Sequence, residues 1–246
     1  METRIHPAAH VDKEAQLGAG VEVMPGAVVT KWARIGDRAV IHPGAVVGGD
    51  PQYLSFDSAT PSYVNMGKET VVRESVTLNR SMHEGQATSI GERCFFMACS
   101  HVGHDCIVAD DVVLANNAML AGHVEVGAFT FVGGGAGIHQ FCRIGPVGMI
   151  AGLARVTKDV PAFCMVAERD ELTGLNLVGL KRRGWSREVI MEIKENYRAV
   201  LGEVGNPRPR AADRFAAAES EPAKTFLKFF EGGKRGFAQP VRPASG

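Results

Sequence analysis

From Ile90 to Val156 an apolar residue returns at every sixth position: Ile90, Phe96, Val102, Val108, Leu114, Leu120, Val126, Val132, Ile138, Ile144, Ile150 and Val156. The same beat runs through Ile5, Val11, Leu17, Val23, Val29, Ile35, Ile41 and Val47, with a shorter run at Met66, Val72 and Leu78. Six is a multiple of two, so a strand keeps its in–out alternation through every hexad, whereas a helix cannot hold this series on one face. The residue four places after each apolar one is usually small or β-branched, as at Ala27, Ala33, Ala39, Cys106, Val112 and Ala118. The pattern predicts an all-β parallel β-helix with three short walls per coil, the large side chains inside and turns at the corners. The 29 glycines and 7% aromatics agree, since each glycine in a helix interior costs about 1 kcal/mol.

Two stretches break the beat, about 48–65 and 81–89, and are expected to be inserted loops of functional weight. The repeat domain is expected over 1–167 and a C-terminal α-helical domain over 168–246. In the latter, Ser186 caps an amphipathic helix running to Leu201. Asn206-Pro-Arg-Pro-Arg210 reads as a break, followed by helices near Ala211–Glu219 and Pro222–Glu231. The tail from Gly232 is expected to fray.

Lys+Arg and Asp+Glu both number 27, which argues against nucleic acid or an anionic membrane surface as a bulk electrostatic partner. No apolar run is long enough for a membrane span and the N-terminus has no secretory h-region, so a cytoplasmic location without stable membrane insertion is expected. The five cysteines, Cys94, Cys99, Cys106, Cys142 and Cys164, form no C-x-x-C pair and are read as reduced, buried and structural.

Three hexads per coil stack residues 18 apart, which puts the hexads of Val102, Leu120 and Ile138 on one wall. His104, Gly122 and Gln140 then share one column, His123 stacks on Asp105, and His101 and His139 flank them. Leu78 begins the same wall one coil earlier and brings Asn79 and Arg80. A histidine strip between two projecting loops is a cleft candidate. Its chemistry suits general base catalysis, with Asp105 fixing the tautomer or electrostatics of a histidine. Cys106 is expected to point inward, so direct attack by the acceptor is favoured over an acyl-enzyme. No metal is expected, because the spacing supplies no three-histidine set and no cysteine joins it.

Four segments carry a family resemblance: Phe96-Met-Ala-Cys-Ser-His-Val-Gly-His-Asp-Cys106, Leu114-Ala-Asn-Asn-Ala-Met-Leu-Ala-Gly-His-Val124, Ile138-His-Gln-Phe-Cys142 and Gly179-Leu-Lys-Arg-Arg-Gly184. With Arg73-Glu-Ser-Val-Thr77 they resemble the acyl-carrier-protein–UDP-N-acetylglucosamine O-acyltransferases of lipid A biosynthesis. The resemblance implies a left-handed β-helix, a homotrimer, and transfer of a (3-hydroxy)acyl chain from the carrier-protein thioester to the sugar 3-position. It implies no cofactor, since the phosphopantetheine arm arrives on the acyl carrier protein. His104 matches the general base, Asp105 its electrostatic partner, and Gly122 a glycine whose N–H can face the thioester oxyanion. His101 and His123 match sugar and pyrophosphate neighbours, and His139 and Gln140 line the donor and acceptor site. Gly152 matches the residue whose size limits the acyl pocket, though such a glycine can also serve only a left-handed turn. Asn176, Arg182 and Arg183 match the nucleotide end.

The sequence departs from the family at Gln52-Tyr53-Leu54-Ser55-Phe56, where Gln-Asp-Leu-Lys-Tyr is usual, at Asn79 in place of a histidine and at Val178 in place of a glutamate. A related acyl- or acetyltransferase acting on another nucleotide sugar or a 3-amino sugar therefore stays open. So do a zinc-dependent β-helix carbonic anhydrase and a non-catalytic β-helix that supports an assembly.

Overall fold

The computed structural model describes residues 2–203 and 205–240. The hexads close into a three-walled parallel coil. Strands beginning with Arg4–Ile5 build the first wall, those beginning with His10–Val11 the second, and those beginning with Gln16–Leu17 the third. Regular coils pair residues 18 apart, for example Phe95 with Val113 and His101 with Met119. The hexad apolar residues from Val23 to Val156 point into the coil and are buried, whereas Ile5 at the open N-terminal end is 47% exposed.

Most corners put one residue into the left-handed region, and here that residue is often not glycine: Asp105, His123 and Phe141 have φ of 60°, 59° and 65°. Such a conformation costs an L-residue roughly 1–2 kcal/mol. A ladder of corner hydrogen bonds offsets it, since the His123 N–H donates to the His104 carbonyl at 2.9 Å and the Phe141 N–H to the Gly122 carbonyl at 3.3 Å.

The insertions are shorter than the sequence suggests. Tyr63–Met66 and Ala87–Ile90 are four-residue strands that pair in register across the third wall, leaving 50–62 and 80–86 as the projecting loops. Their alternation, with Val64, Met66, Thr88 and Ile90 buried, is the period-two pattern of a strand that buries one face. The buried Arg80 guanidinium fastens the first loop: it bonds Asp50 at 2.8 Å, the Ser58 carbonyl at 2.8 Å and Ser62 Oγ at 3.0 Å.

Beyond residue 167 the chain stays in the first wall, where Glu171–Leu175 runs antiparallel to Cys164–Ala167. Helices α1 (Leu177–Arg182), α2 (Arg187–Leu201), α3 (Pro207–Phe215) and α4 (Glu221–Lys228) follow. Ser186 caps α2 as expected. The stretch read as a break instead starts α3: Asn206 caps it and Pro207 occupies the first turn, where proline's missing N–H costs nothing. The tail does not fray over 232–240, because Gln239–Pro240 pairs with Glu171–Leu172 and Phe237 and Ala238 are buried. Residues 241–246 of that expectation lie outside the described residues. Among the described residues no helix is long and apolar enough to cross a membrane.

Candidate active site

Corner geometry brings the histidines together. The strands of Leu78, Val102, Leu120 and Ile138 are neighbours in the second wall. The corner that follows this wall carries His104, Gly122 and Gln140 in one column and Asp105, His123 and Phe141 in the next. His104 Nδ1 lies 2.8 Å from Asp105 Oδ2, and the two imidazoles of His104 and His123 meet edge to face at 5.1 Å. Gly122 is what makes room, because a Cβ there would sit 2.5 Å from both Cε1 and Nε2 of His104. Among the described residues the Gly122 N–H donates to no acceptor.

Asp105 is gripped from several sides. Burial pushes its pKa up, but hydrogen bonds from His104, from the Ser81 hydroxyl and from the Met82 N–H at 3.1 Å outweigh that and hold it down at about 2. Its own N–H donates to the buried Thr88 hydroxyl at 2.8 Å. The carboxylate is therefore charged whenever a neighbouring histidine is neutral. Burial, and secondarily His104, pushes His101 down; its Nδ1 lies 2.7 Å from Thr77 Oγ1. Burial also lowers His123, and Asp105 opposes the shift; Phe141 stacks on its ring at 4.7 Å.

Ser81, Met82 and His83 escape the sequence reading because they lie in the second insertion, outside any hexad register. A ring nitrogen of His83 lies within 4.8 Å of ligand atoms of Asp105 and His123. The metal-free expectation considered only histidines of the coil, and this two-histidine, one-carboxylate group needs the loop. His139 and Gln140 are exposed at the top of the column, with His139 Nδ1 3.1 Å from the Arg235 guanidinium.

The other expected residues lie elsewhere on the chain. Asn176 caps α1 and donates to the Val147 carbonyl at 2.9 Å, while Arg183 stacks on Phe129 at 3.8 Å. With Arg182 and the exposed Val178 they border a cleft of about 780 Å³ on the outer face of the first wall. In a three-walled coil that face lies opposite the corner holding His104. Gly152 sits on a third edge, where the first wall turns into the second. The left-handed place there belongs to Leu153, with φ of 62°, so Gly152 is not a positive-φ turn residue.

Cys106 is buried with its thiol pushed up to about 12 by burial, and it donates to the Ala121 carbonyl at 3.1 Å. Four cysteines are buried, but Cys99 is exposed, because it takes the left-handed corner place at φ of 61° rather than an interior slot.

A hexapeptide coil bearing a histidine–carboxylate pair beside the buried thiol of Cys106 places the chain among the hexapeptide-repeat transferases. Residues 14–49 and 87–122 match the bacterial transferase hexapeptide family, and residues 159–238 match the family described as UDP N-acetylglucosamine O-acyltransferase, domain 2. The acyl-[acyl-carrier-protein]–UDP-N-acetylglucosamine O-acyltransferase of Campylobacter concisus is 38% identical over 93% of this chain and 87% of its own length. The Synechocystis enzyme of the same name is 34% identical over 72% of this chain and 63% of its own. The solved UDP-N-acetylglucosamine acyltransferase of Campylobacter jejuni superposes with a TM-score of 0.85 at 34% identity, over 97% of this chain and all of that one. The chain belongs to the acyl-[acyl-carrier-protein]–UDP-N-acetylglucosamine O-acyltransferase family, and its coil is the left-handed β-helix expected.

Proposed function

We propose that the protein moves a long (3-hydroxy)acyl chain from an acyl-carrier-protein thioester to the 3-position of UDP-N-acetylglucosamine, with His104 as general base. The observation that carries this reading is the His104–Asp105 pair, seated over Gly122 on a coil of this family. With Asp105 accepting the Nδ1 proton, Nε2 carries the lone pair and takes the proton of the sugar 3-hydroxyl. The hydroxyl oxygen attacks the thioester carbon, and the Gly122 N–H is available to the oxyanion. Collapse forms the ester and expels the phosphopantetheine thiolate, which recovers the proton from His104. No acyl-enzyme is needed, and the buried, protonated Cys106 suits none. The thiol arm comes with the donor, so the chain itself needs no cofactor.

Arg182, Arg183 and Asn176 suit the diphosphate and nucleotide, since guanidinium charge is permanent and its fork bidentate. They face away from His104 on one chain, so the complete site needs a neighbouring copy. Apolar side chains exposed on all three walls and their corners (Ile107, Met119, Phe131, Met149, Leu153) support a homotrimer.

A second reading, a 3-amino sugar acceptor, is favoured by one observation. Asn79 Oδ1 is buried without a partner, an acceptor suited to the additional N–H of an amine. Mass spectrometry of products from a panel of acyl-carrier-protein thioesters, offered with UDP-N-acetylglucosamine or its 3-amino counterpart, tests both. The expected product is the 3-O-ester, and His104→Ala in a folded protein is expected to cut kcat by about 10²-fold or more. Near-normal kcat in that variant refutes the base assignment.

A further inference from the structure

His83 has no part in the reaction above, yet it completes a group of three donors. Its ring nitrogen and ligand atoms of Asp105 and His123 all lie within 4.8 Å of one another. His123 Nε2 faces Asp105 Oδ2 at 3.9 Å, and stacking on Phe141 holds that ring in place. The His83 and His123 ring centres are 6.1 Å apart. We propose that these three side chains form a transition-metal site that shares Asp105 with the catalytic base, so that a bound Zn²⁺-like ion switches acyl transfer off. The switching part rests on the reading of His104 as base.

Two imidazole nitrogens and one carboxylate oxygen form a donor set suited to zinc, with the fourth position left to water. Tetrahedral zinc holds such ligands about 3.4 Å apart. The His123–Asp105 pair is already close to that, and the exposed His83 side chain can close the remaining distance by turning about its own bonds, with the loop backbone in place.

The carboxylate decides the consequence. Oδ2, the oxygen facing His123, already accepts the His104 ring N–H at 2.8 Å and the Met82 N–H at 3.1 Å. A carboxylate oxygen offers about two lone-pair sites, so an ion on Oδ2 displaces one donor. Met82 donates from the backbone and cannot turn away, whereas His104 is a side chain and can. Loss of that bond frees the His104 tautomer, and a dication beside the ring opposes its taking up a proton. One oxygen atom thus serves either the base or the ion.

The test uses the full chain stripped of metal. Co²⁺ is added while visible absorption is recorded, and Zn²⁺ is titrated during turnover of acyl-carrier-protein thioester with UDP-N-acetylglucosamine. The expected result is one Co²⁺ per chain with d–d bands, and turnover falling about 10-fold or more as Zn²⁺ binds and returning with EDTA. His83→Ala should keep its metal-free turnover, lose the bands, and need about 10-fold more Zn²⁺ or beyond for half inhibition. Cys99→Ser, which removes the exposed thiol, should keep the wild-type zinc response. Absent bands in the wild type, or unchanged zinc sensitivity in His83→Ala, overturns the proposal. If metal-free protein turns over no thioester with either UDP-N-acetylglucosamine or its 3-amino counterpart, the acyltransferase reading fails, and the Co²⁺ bands with their loss in His83→Ala still decide the metal site.

Discussion

Gly122 matters because of what lies over it. The His104 imidazole rests where a Cβ would be, 2.5 Å from two ring atoms, while Gly122 itself has no left-handed φ. Adding a methyl group therefore leaves the backbone unstrained and pushes the ring aside. Gly122→Ala is expected to keep its thermal midpoint within a few degrees while kcat falls about 10²-fold, the scale of a misplacement near 1 Å. Circular dichroism melts beside steady-state kinetics check it, and wild-type kcat in this variant would remove Gly122 from the site. Three donors hold Asp105 charged, and two of them, Ser81 and Met82, come from a loop.

Among the elements, the two insertions act as one unit. Arg80, wholly buried, joins the first loop to the wall, and the Ser62 hydroxyl donates at 2.5 Å to the carbonyl of Ser81, whose own hydroxyl grips Asp105. The corner between the first and second walls is more open. A Cβ on Gly152 would lie 3.3 Å from the Gly134 carbonyl oxygen and meet little else, so a longer side chain projects outward along the surface. Each buried methylene of an acyl chain contributes about 0.8 kcal/mol, so if the acyl chain runs past this corner, a side chain there penalises long donors most. Gly152→Met is expected to move the chain-length optimum to shorter donors without abolishing turnover. Competition between thioesters of graded length reads this directly; an unmoved profile places the end of the acyl pocket elsewhere.

At the scale of the whole molecule, the separation of His104 from Arg182 and Arg183 leads to the last prediction. In a cyclic trimer each site would take its base from one subunit and its arginines from the next. His104→Ala and the double variant Arg182→Ala/Arg183→Ala should each be nearly inactive at low substrate, the second through a raised KM. Unfolding them together at equal amounts and refolding should restore about a quarter of wild-type activity, the share of random interfaces carrying both intact halves. Recovery of none would confine the site to one chain.

The hexad period was enough to specify the coil, its three walls and the stacking of Val102, Leu120 and Ile138, because a register of 18 leaves each side chain one place to go. That register also places His104, Asp105, Gly122 and His123 together. It could not reach Ser81, Met82 and His83, since an insertion obeys no period and only the tertiary fold returns it to the corner. The proline-rich start of α3 and the return of Gln239–Pro240 to the first wall were likewise decided by capping and packing rather than by pattern. The placement of Asn176 and Arg183 across the coil from His104 is a property of three walls closed on one another: the outer face of one wall and the corner between the other two cannot meet within one chain.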